Sequence, residues 1–161
     1  MPVISGTAYW AAIVNPNTTF DSDGVWSIDV ANLDKKSLDL LKKDGLSIKN
    51  KGDDRGDFVS IKRKVRRKDG SLNRAPDLVD GQKRTMTQTL IGNGSLVNVH
   101  YTTYEWEFKG NKGVSADLRA VQVTDLVLII QKLIRLLMLL TVVSPVKKGM
   151  KIFPSLRNYL L

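Results

Sequence analysis

The sequence SLVNVHYTTYEWEFK at residues 95–109 decides the expected fold, because it alternates as a long β-strand does. Its odd positions begin with Val97, Val99 and Tyr101, which predict a face directed towards a core. Its even positions are first polar and then aromatic: Asn98, His100, Thr102, Tyr104, Trp106 and Phe108. Because the side chains of a strand point to alternate faces, the second face changes from polar to aromatic along its length.

Four other stretches of the chain also predict strands, each of them next to turn residues. They are residues 7–14, 25–30, 58–68 and 114–127. The first two flank a turn at residues 21–24 and are expected to form a hairpin. The apolar residues of the last strand change sides, which predicts a bulge or a change of face.

One helix is predicted at residues 34–46, where Asp34 can cap the start and Gly45 can end it. Five main strands, one short helix and long loops are typical of an all-β, five-stranded OB-fold Greek-key barrel. The number of strands does not by itself distinguish this barrel from a β-sandwich.

Composition narrows the possible functions. The chain has 161 residues, enough for one ordinary domain, and its net charge of +9 indicates a polyanionic partner such as nucleic acid. Cysteine is absent and His100 is the single histidine, so neither a metal nor a cofactor is expected. The sequence has no phosphate-binding glycine loop and no suitably placed pair of carboxylates, and therefore does not indicate an enzyme.

Charge divides the chain into two parts. Residues 1–125 have mixed charge and predict an OB-fold nucleic-acid-binding domain. Residues 126–161 contain six Lys or Arg residues and no Asp or Glu, and they predict an atypical basic and apolar C-terminal tail. The sequence does not open with a secretory signal, so a cytoplasmic location is expected.

The apolar segment at residues 126–143 is predicted to be helical and has three interpretations. It is about long enough to span a bilayer, but Gln131, Lys132 and Arg135 near its middle make insertion costly, so a membrane is not an expected partner. These three residues lie on one side of a helix, which favours an amphipathic helix packed on the barrel or on a second subunit. An out-of-frame end of the sequence would also explain the loss of every acidic residue.

The strand at residues 58–68 predicts a phosphate-binding surface. Its even positions include Phe58, Lys62, Lys64, Arg66 and Lys68, and the loop that follows adds Arg74, Lys83 and Arg84. Regularly spaced cations on one strand face can follow a nucleic-acid backbone, although a solvated strand face is the alternative. His100 is expected on the binding face or at its rim.

Tyr104 and Trp106 predict a stacking surface. They share one face of the strand and are about 7 Å apart, close to the spacing of extended nucleotides. Both rings could therefore stack on neighbouring bases. In the alternative, both rings lie in the core while Glu105 and Glu107 face water, and the alternation alone leaves the two arrangements open.

Several of these stretches resemble the single-stranded DNA-binding protein of T7-like phages. They are Gly6-Thr7-Ala8, GVWSIDV at residues 24–30, IGNGSLVNV at residues 91–99, YEW at residues 104–106 and GVSA at residues 113–116. The resemblance covers roughly residues 5–127. It implies an OB-fold that binds single-stranded DNA without strong sequence preference, in phage DNA replication, recombination and repair.

The resemblance also implies particular partners and site residues. A homodimer is expected in the host cytoplasm, with contacts to the phage DNA polymerase and helicase–primase. Tyr104 and Trp106 match the Tyr-x-Trp pair of the family, which favours exposed rings. The family ends in an acidic tail, whereas this tail is basic, so tail-mediated partner binding is not expected. An RNA-binding OB module, or a membrane-associated or assembly protein acting through residues 126–143, is the alternative function.

Overall fold

A computed structural model describes residues 1–128 and 136–139 of the chain. Its strands are β1 (Val3–Asn17), β2 (Val25–Ala31), β3 (Lys49–Asn50), β4 (Asp57–Lys64), β5 (Asp77–Asp80), β6 (Leu96–Phe108) and β7 (Asn111–Asp125). One helix, α1 (Lys35–Lys43), lies between β2 and β3. Residues 136–139 are helical, whereas residues 126–128 of the predicted C-terminal helix are not, and its remaining residues lie outside the described part of the chain. No helix among the described residues is both long and apolar enough to cross a membrane.

Five of the strands close into a barrel. The order along the sheet is β3-β4-β2-β1-β6-β7-β5, and a parallel pairing of β4 with β7 at Lys62 and Asp117 completes the ring. The barrel strands are therefore β1, β2, β4, β6 and β7. The short strand β3 pairs antiparallel with the start of β4, and β5 pairs parallel with β7. The predicted five-stranded OB-fold barrel is confirmed, and the sandwich alternative is wrong.

The core forms where the alternation predicts it. Buried side chains come from Trp26, Ile28 and Val30 of β2, from Val59 and Ile61 of β4, and from Val97, Val99 and Tyr101 of β6. The predicted hairpin of β1 and β2 is present. The predicted irregularity in the last strand is a bulge at Arg119, because the pairing passes from His100 with Ala120 directly to Tyr101 with Leu118. The bulge lets both Leu118 and Val121 face the core.

Helix α1 begins at the predicted cap. The Asp34 carboxylate accepts a hydrogen bond of 2.7 Å from the backbone N–H of Ser37. Hydrogen bonding from the Ser37 side chain, and to a lesser extent from this N–H, lowers the pKa of Asp34. Gly45 follows the helix with a positive φ of 76°, which glycine adopts without strain. The helix is joined to the barrel by a 2.7 Å hydrogen bond that the Tyr101 phenol donates to Asp44.

The hairpin of β6 and β7 extends beyond the barrel. We call residues 103–114 the arm. Pairing along the arm is regular from Thr103 with Ala116 to Phe108 with Asn111, so its two faces continue those of the barrel wall. Residues 103–112 are all exposed, on both faces of the hairpin, which shows that the arm projects from the barrel.

Candidate nucleic-acid interface

A groove of about 740 Å³ crosses the outer face of the barrel where β4 meets β7. Across its floor, Ser27 pairs with Lys62, Lys62 with Asp117, and Asp117 with Thr102. Its sides are formed by residues 20–21 of the β1–β2 loop, by residues 66–68 after β4, and by the base of the arm. In OB-folds, this face and the loops joining the first two and the last two barrel strands bind oligonucleotides and oligosaccharides.

Basic side chains dominate the groove. It is lined by Lys62, Arg63, Lys64, Arg66, Arg67, Lys68 and Arg119, with Asp21 and Asp117 as its acidic residues. Lys62 and Lys64 are exposed because they occupy the outward positions of β4. Arg66 is half exposed and forms a 3.3 Å ion pair with Asp23 in the opposite loop. The groove therefore offers a polyanion a line of positive charge with few competing carboxylates.

Arg63 neutralises the one acid of the groove floor. It occupies an inward position of β4 and is buried, so its charge requires partners. Its guanidinium forms an ion pair with Asp117 and donates from Nε to the carbonyl oxygen of Arg74 at 2.8 Å. Asp117 also lies 3.0 Å from a guanidinium nitrogen of Arg119. Two arginines thus compensate Asp117, and the floor of the groove is not negative.

Tyr104 and Trp106 are both exposed. The Tyr104 side chain is 53% exposed at the base of the arm, where it lines the groove, and Trp106 is 41% exposed one step further along the same face. The Trp106 indole lies against Gly113 across the hairpin, because a Cβ atom on Gly113 would stand only 2.5 Å from the indole Cζ2. The core placement of these rings is therefore excluded. Glu105 and Glu107 are exposed as well, since the arm has no buried face there.

The prediction that Phe58 belongs to the interface is wrong, because its ring is buried. Its ring is 1% exposed, although its even position in β4 suggested the cationic face. The guanidinium of Arg55 lies 4.1 Å above the ring centroid and is held there by Asp29 at 2.8 Å and Asp53 at 2.7 Å. This cover comes from the loop that directly precedes β4, and it leaves no ring surface for a base.

The other predicted residues are distributed over the barrel surface. Arg74 and His100 line a second cavity of about 200 Å³, which shares Arg63 and Arg119 with the groove. Arg74 is paired with Asp77 at 2.7 Å. Lys83 and Arg84 line neither cavity. The structure therefore brings five predicted residues together in the groove, namely Lys62, Lys64, Arg66, Lys68 and Tyr104.

Sequence reasoning missed four residues of this surface. Phe20 is 97% exposed in the β1–β2 loop at the side of the groove, and Arg67 lies beyond the end of β4, where alternation no longer applies. Arg119 reaches the groove because it is the bulged residue of β7. Phe108 continues the aromatic face of the arm and is 66% exposed. Only Phe108 had a usable signal, since it follows Trp106 by two positions.

The described residues contain no cluster of three His, Cys, Asp or Glu side chains that could hold a metal ion. A closed barrel with a cationic groove between these loops defines an OB-fold domain with an open cationic face. No protein-family model and no curated protein sequence matches the chain.

Solved structures match the fold over most of the chain. The gp2.5 single-stranded DNA-binding protein encoded by bacteriophage T7 matches with a TM-score of 0.56 and 17% identity, over 78% of this chain and 87% of that chain. The single-stranded DNA-binding protein from bacteriophage Enc34, in complex with single-stranded DNA, matches with a TM-score of 0.53 and 15% identity, over 76% and 86%. A second structure of the Enc34 protein matches with a TM-score of 0.52 and 15% identity, over 79% of this chain and 83% of that chain. The expected likeness in fold to the T7-like phage protein is confirmed.

Proposed function

We propose that this chain binds single-stranded DNA without sequence preference, in the groove and along the base of the arm. The observation that carries the proposal is the position of Tyr104, an exposed ring at the side of a groove that seven Lys or Arg residues line. The likeness in fold to the T7 and Enc34 single-stranded DNA-binding proteins supports it.

The phosphate backbone lies along the groove in this proposal. Lys62 and Lys64 project from the floor, and residues 66–68 add charge from one side. Each phosphate that a Lys or Arg neutralises releases counterions, so the free energy of binding becomes less favourable as salt rises. Such contacts do not depend on the bases, which accounts for binding without sequence preference.

The bases lie against Tyr104 and Trp106. Stacking on an aromatic ring is worth roughly 1–3 kcal/mol per base and tolerates every base, since each has a flat π-face. Bases within a duplex are already stacked and paired, so two rings on an arm select for single strands. Glu105 and Glu107 occupy the opposite face and disfavour a phosphate backbone there.

The biological setting follows from the sequence resemblance. We propose that the chain acts in phage DNA replication, recombination and repair in the host cytoplasm, by binding rather than catalysis. A homodimer and contacts with the phage DNA polymerase and helicase–primase belong to the same proposal. Residues 126–161 contain no Asp or Glu, so this segment would not offer an acidic surface to these partners.

Binding of labelled oligonucleotides, measured by fluorescence anisotropy, tests the function. We expect tighter binding to oligo(dT) than to a duplex of equal length, and at least 30-fold weaker binding by the Tyr104→Ala/Trp106→Ala variant. Trp10→Ala is the matched control, because the Trp10 indole is exposed but lines neither cavity. Unchanged binding by the double variant would exclude stacking on the arm. Tighter binding to oligo(U) would favour the RNA-binding alternative.

A further inference from the structure

A third exposed ring continues the aromatic face of the arm. Phe108 is the last residue of β6, and pairing along the arm is free of register shifts, so Phe108 shares a face with Tyr104 and Trp106. Residues two apart on a strand are separated by about 7 Å. The three rings therefore form one row that begins at the side of the groove and ends at the tip of the arm.

The residues opposite this row are small. Tyr104 pairs with Ser115, Trp106 with Gly113 and Phe108 with Asn111. None of these partners carries a large apolar side chain that could cover a ring. The rings consequently present apolar surface to solvent. Adjacent exposed apolar side chains indicate a binding site, whereas isolated ones are common on protein surfaces.

The distribution of charge favours a polyanion on this face. The Lys109 ammonium lies 5.3 Å from the centroid of the Phe108 ring, so a cation accompanies the last ring of the row. Glu105 and Glu107 point to the opposite face, where they would repel phosphates. The row is also continuous with the groove, because Tyr104 belongs to both.

We propose that Phe108 and Lys109 extend the DNA-binding track to the tip of the arm. Phe108 stacks on a third base, and Lys109 contacts the phosphate beside it. The inference rests on the proposed single-stranded DNA binding and adds its direction and extent. A short oligonucleotide occupies the groove and Tyr104, whereas a longer one also covers Trp106 and Phe108.

A series of oligo(dT) lengths bound to Phe108→Ala tests the inference. We expect affinity for long oligonucleotides to fall about 5- to 100-fold, while affinity for the shortest bound oligonucleotide stays unchanged. Phe108→Tyr keeps the ring and should bind as the unmodified chain does. Phe108→Leu keeps apolar surface without a ring and should behave as Phe108→Ala. For Lys109→Ala, the salt dependence should become shallower by about 0.7 in log–log slope, again for long oligonucleotides.

Three results would overturn the inference. In the first, Phe108→Ala binds every length normally while Tyr104→Ala/Trp106→Ala loses binding, so the track ends before the tip but the proposed function stands. In the second, Phe108→Ala weakens every length equally, so Phe108 is not at the far end of a track. In the third, Phe108→Ala alters sedimentation of the free protein and not DNA affinity, which assigns the ring to a contact between copies. Normal binding of every length by the Tyr104→Ala/Trp106→Ala variant would instead exclude stacking on the arm as a whole, and a failure of the unmodified chain to bind oligo(dT) would remove the proposed function itself.

Discussion

Gly113 determines where the Trp106 indole can lie. A Cβ atom at this position would stand 2.5 Å from Cζ2 and 2.9 Å from Nε1 of the indole, closer than nonbonded atoms approach. The absence of a side chain at Gly113 therefore allows the ring to lie flat across the hairpin. A glycine on the neighbouring strand thus controls the orientation of a proposed stacking ring.

Gly113→Ala is expected to weaken binding of single-stranded DNA several-fold without lowering the free energy of unfolding by more than about 1 kcal/mol, because the arm lies outside the core. Anisotropy titration and urea denaturation would measure the two effects. Gly81→Ala is the matched control, since a Cβ at Gly81 meets only an ordinary contact of 3.9 Å. Equal DNA affinity for both variants would show that the indole position is not important for binding.

The residues that sequence reasoning placed correctly are those whose environment is set by local alternation. Val97, Val99 and Tyr101 are buried because every second position of a barrel strand faces the core. Phe58 occupies an outward position by the same alternation, yet its ring is covered by Arg55 of the loop before β4, which an ion pair with Asp29 of β2 holds in place. Phe20 could not be assigned because the path of a loop depends on the tertiary structure.

At the scale of elements, β4 supplies the charge of the groove. Its outward positions carry Lys62 and Lys64, whereas Lys83 lies in the turn after β5 and lines neither cavity. Alternation predicted the first two residues because they belong to a strand. It could not place Lys83, since the position of a turn relative to the groove is not encoded in the local pattern.

Lys62→Ala is expected to reduce the salt dependence of single-stranded DNA binding. Loss of one phosphate contact should lower the log–log slope by about 0.7 and weaken binding similarly for every base sequence. Titrations between low and moderate salt would measure this slope. Lys83→Ala removes the same charge from outside the groove and should leave the slope unchanged. Equal slopes for the two variants would mean that binding responds to net charge and not to the groove.

A partly buried hydrogen bond between Tyr101 of β6 and Asp44 at the end of helix α1 makes the stability of the fold sensitive to alkali. Burial of Tyr101, together with the hydrogen bond that its phenol donates to the Asp44 carboxylate, raises the pKa of the phenol. The phenol of the unfolded chain ionises near pH 10. As pH rises beyond that value, the unfolded state alone loses the proton, so the stabilisation present below pH 10 declines.

Tyr101→Phe should lower the free energy of unfolding by about 1.5 kcal/mol at pH 7, because Asp44 loses its donor. Above pH 10, the variant should lose stability less steeply than the unmodified chain. Urea denaturation at pH 7 and pH 10.5 gives both quantities. Tyr104→Phe removes an exposed phenol, and this variant should lose stability above pH 10 as steeply as the unmodified chain does. An equally shallow loss of stability in both variants would show that Tyr101 is not the origin of the alkaline sensitivity.

At the scale of the whole molecule, barrel closure and the candidate interface share the same residues. Lys62 and Asp117 form the pairing that joins β4 to β7, and both lie on the floor of the groove. Arg63 links these strands beneath the floor through its ion pair with Asp117. The groove is thus built on the seam of a closed barrel, where the backbone is held on both sides. The arm and the loops then supply what the rigid floor lacks, namely exposed rings.

The barrel also holds the residues that follow β7. The Val127 carbonyl accepts a 2.7 Å hydrogen bond from the Gly92 N–H, and the Val127 N–H donates to Ser95 Oγ at 2.8 Å. The Gly92 position is tight, because a Cβ there would stand 2.1 Å from the Val127 oxygen. A domain boundary after residue 125, as charge alone suggested, would therefore separate Val127 from the Gly92 turn that it contacts.

A chain ending at Leu128 keeps both Val127 hydrogen bonds and is expected to retain single-stranded DNA affinity, because the groove is lined by residues of the barrel and its loops. A chain ending at Asp125 should be less stable by about 2 kcal/mol, because two hydrogen bonds near the Gly92 turn are lost. Urea denaturation and oligo(dT) titration would compare the two, and flotation with anionic liposomes would show whether residues 129–161 bind a lipid surface. Loss of DNA binding by the chain ending at Leu128 would place part of the interface in residues 129–161. Equal stability of the two shortened chains would contradict a structural role for Val127.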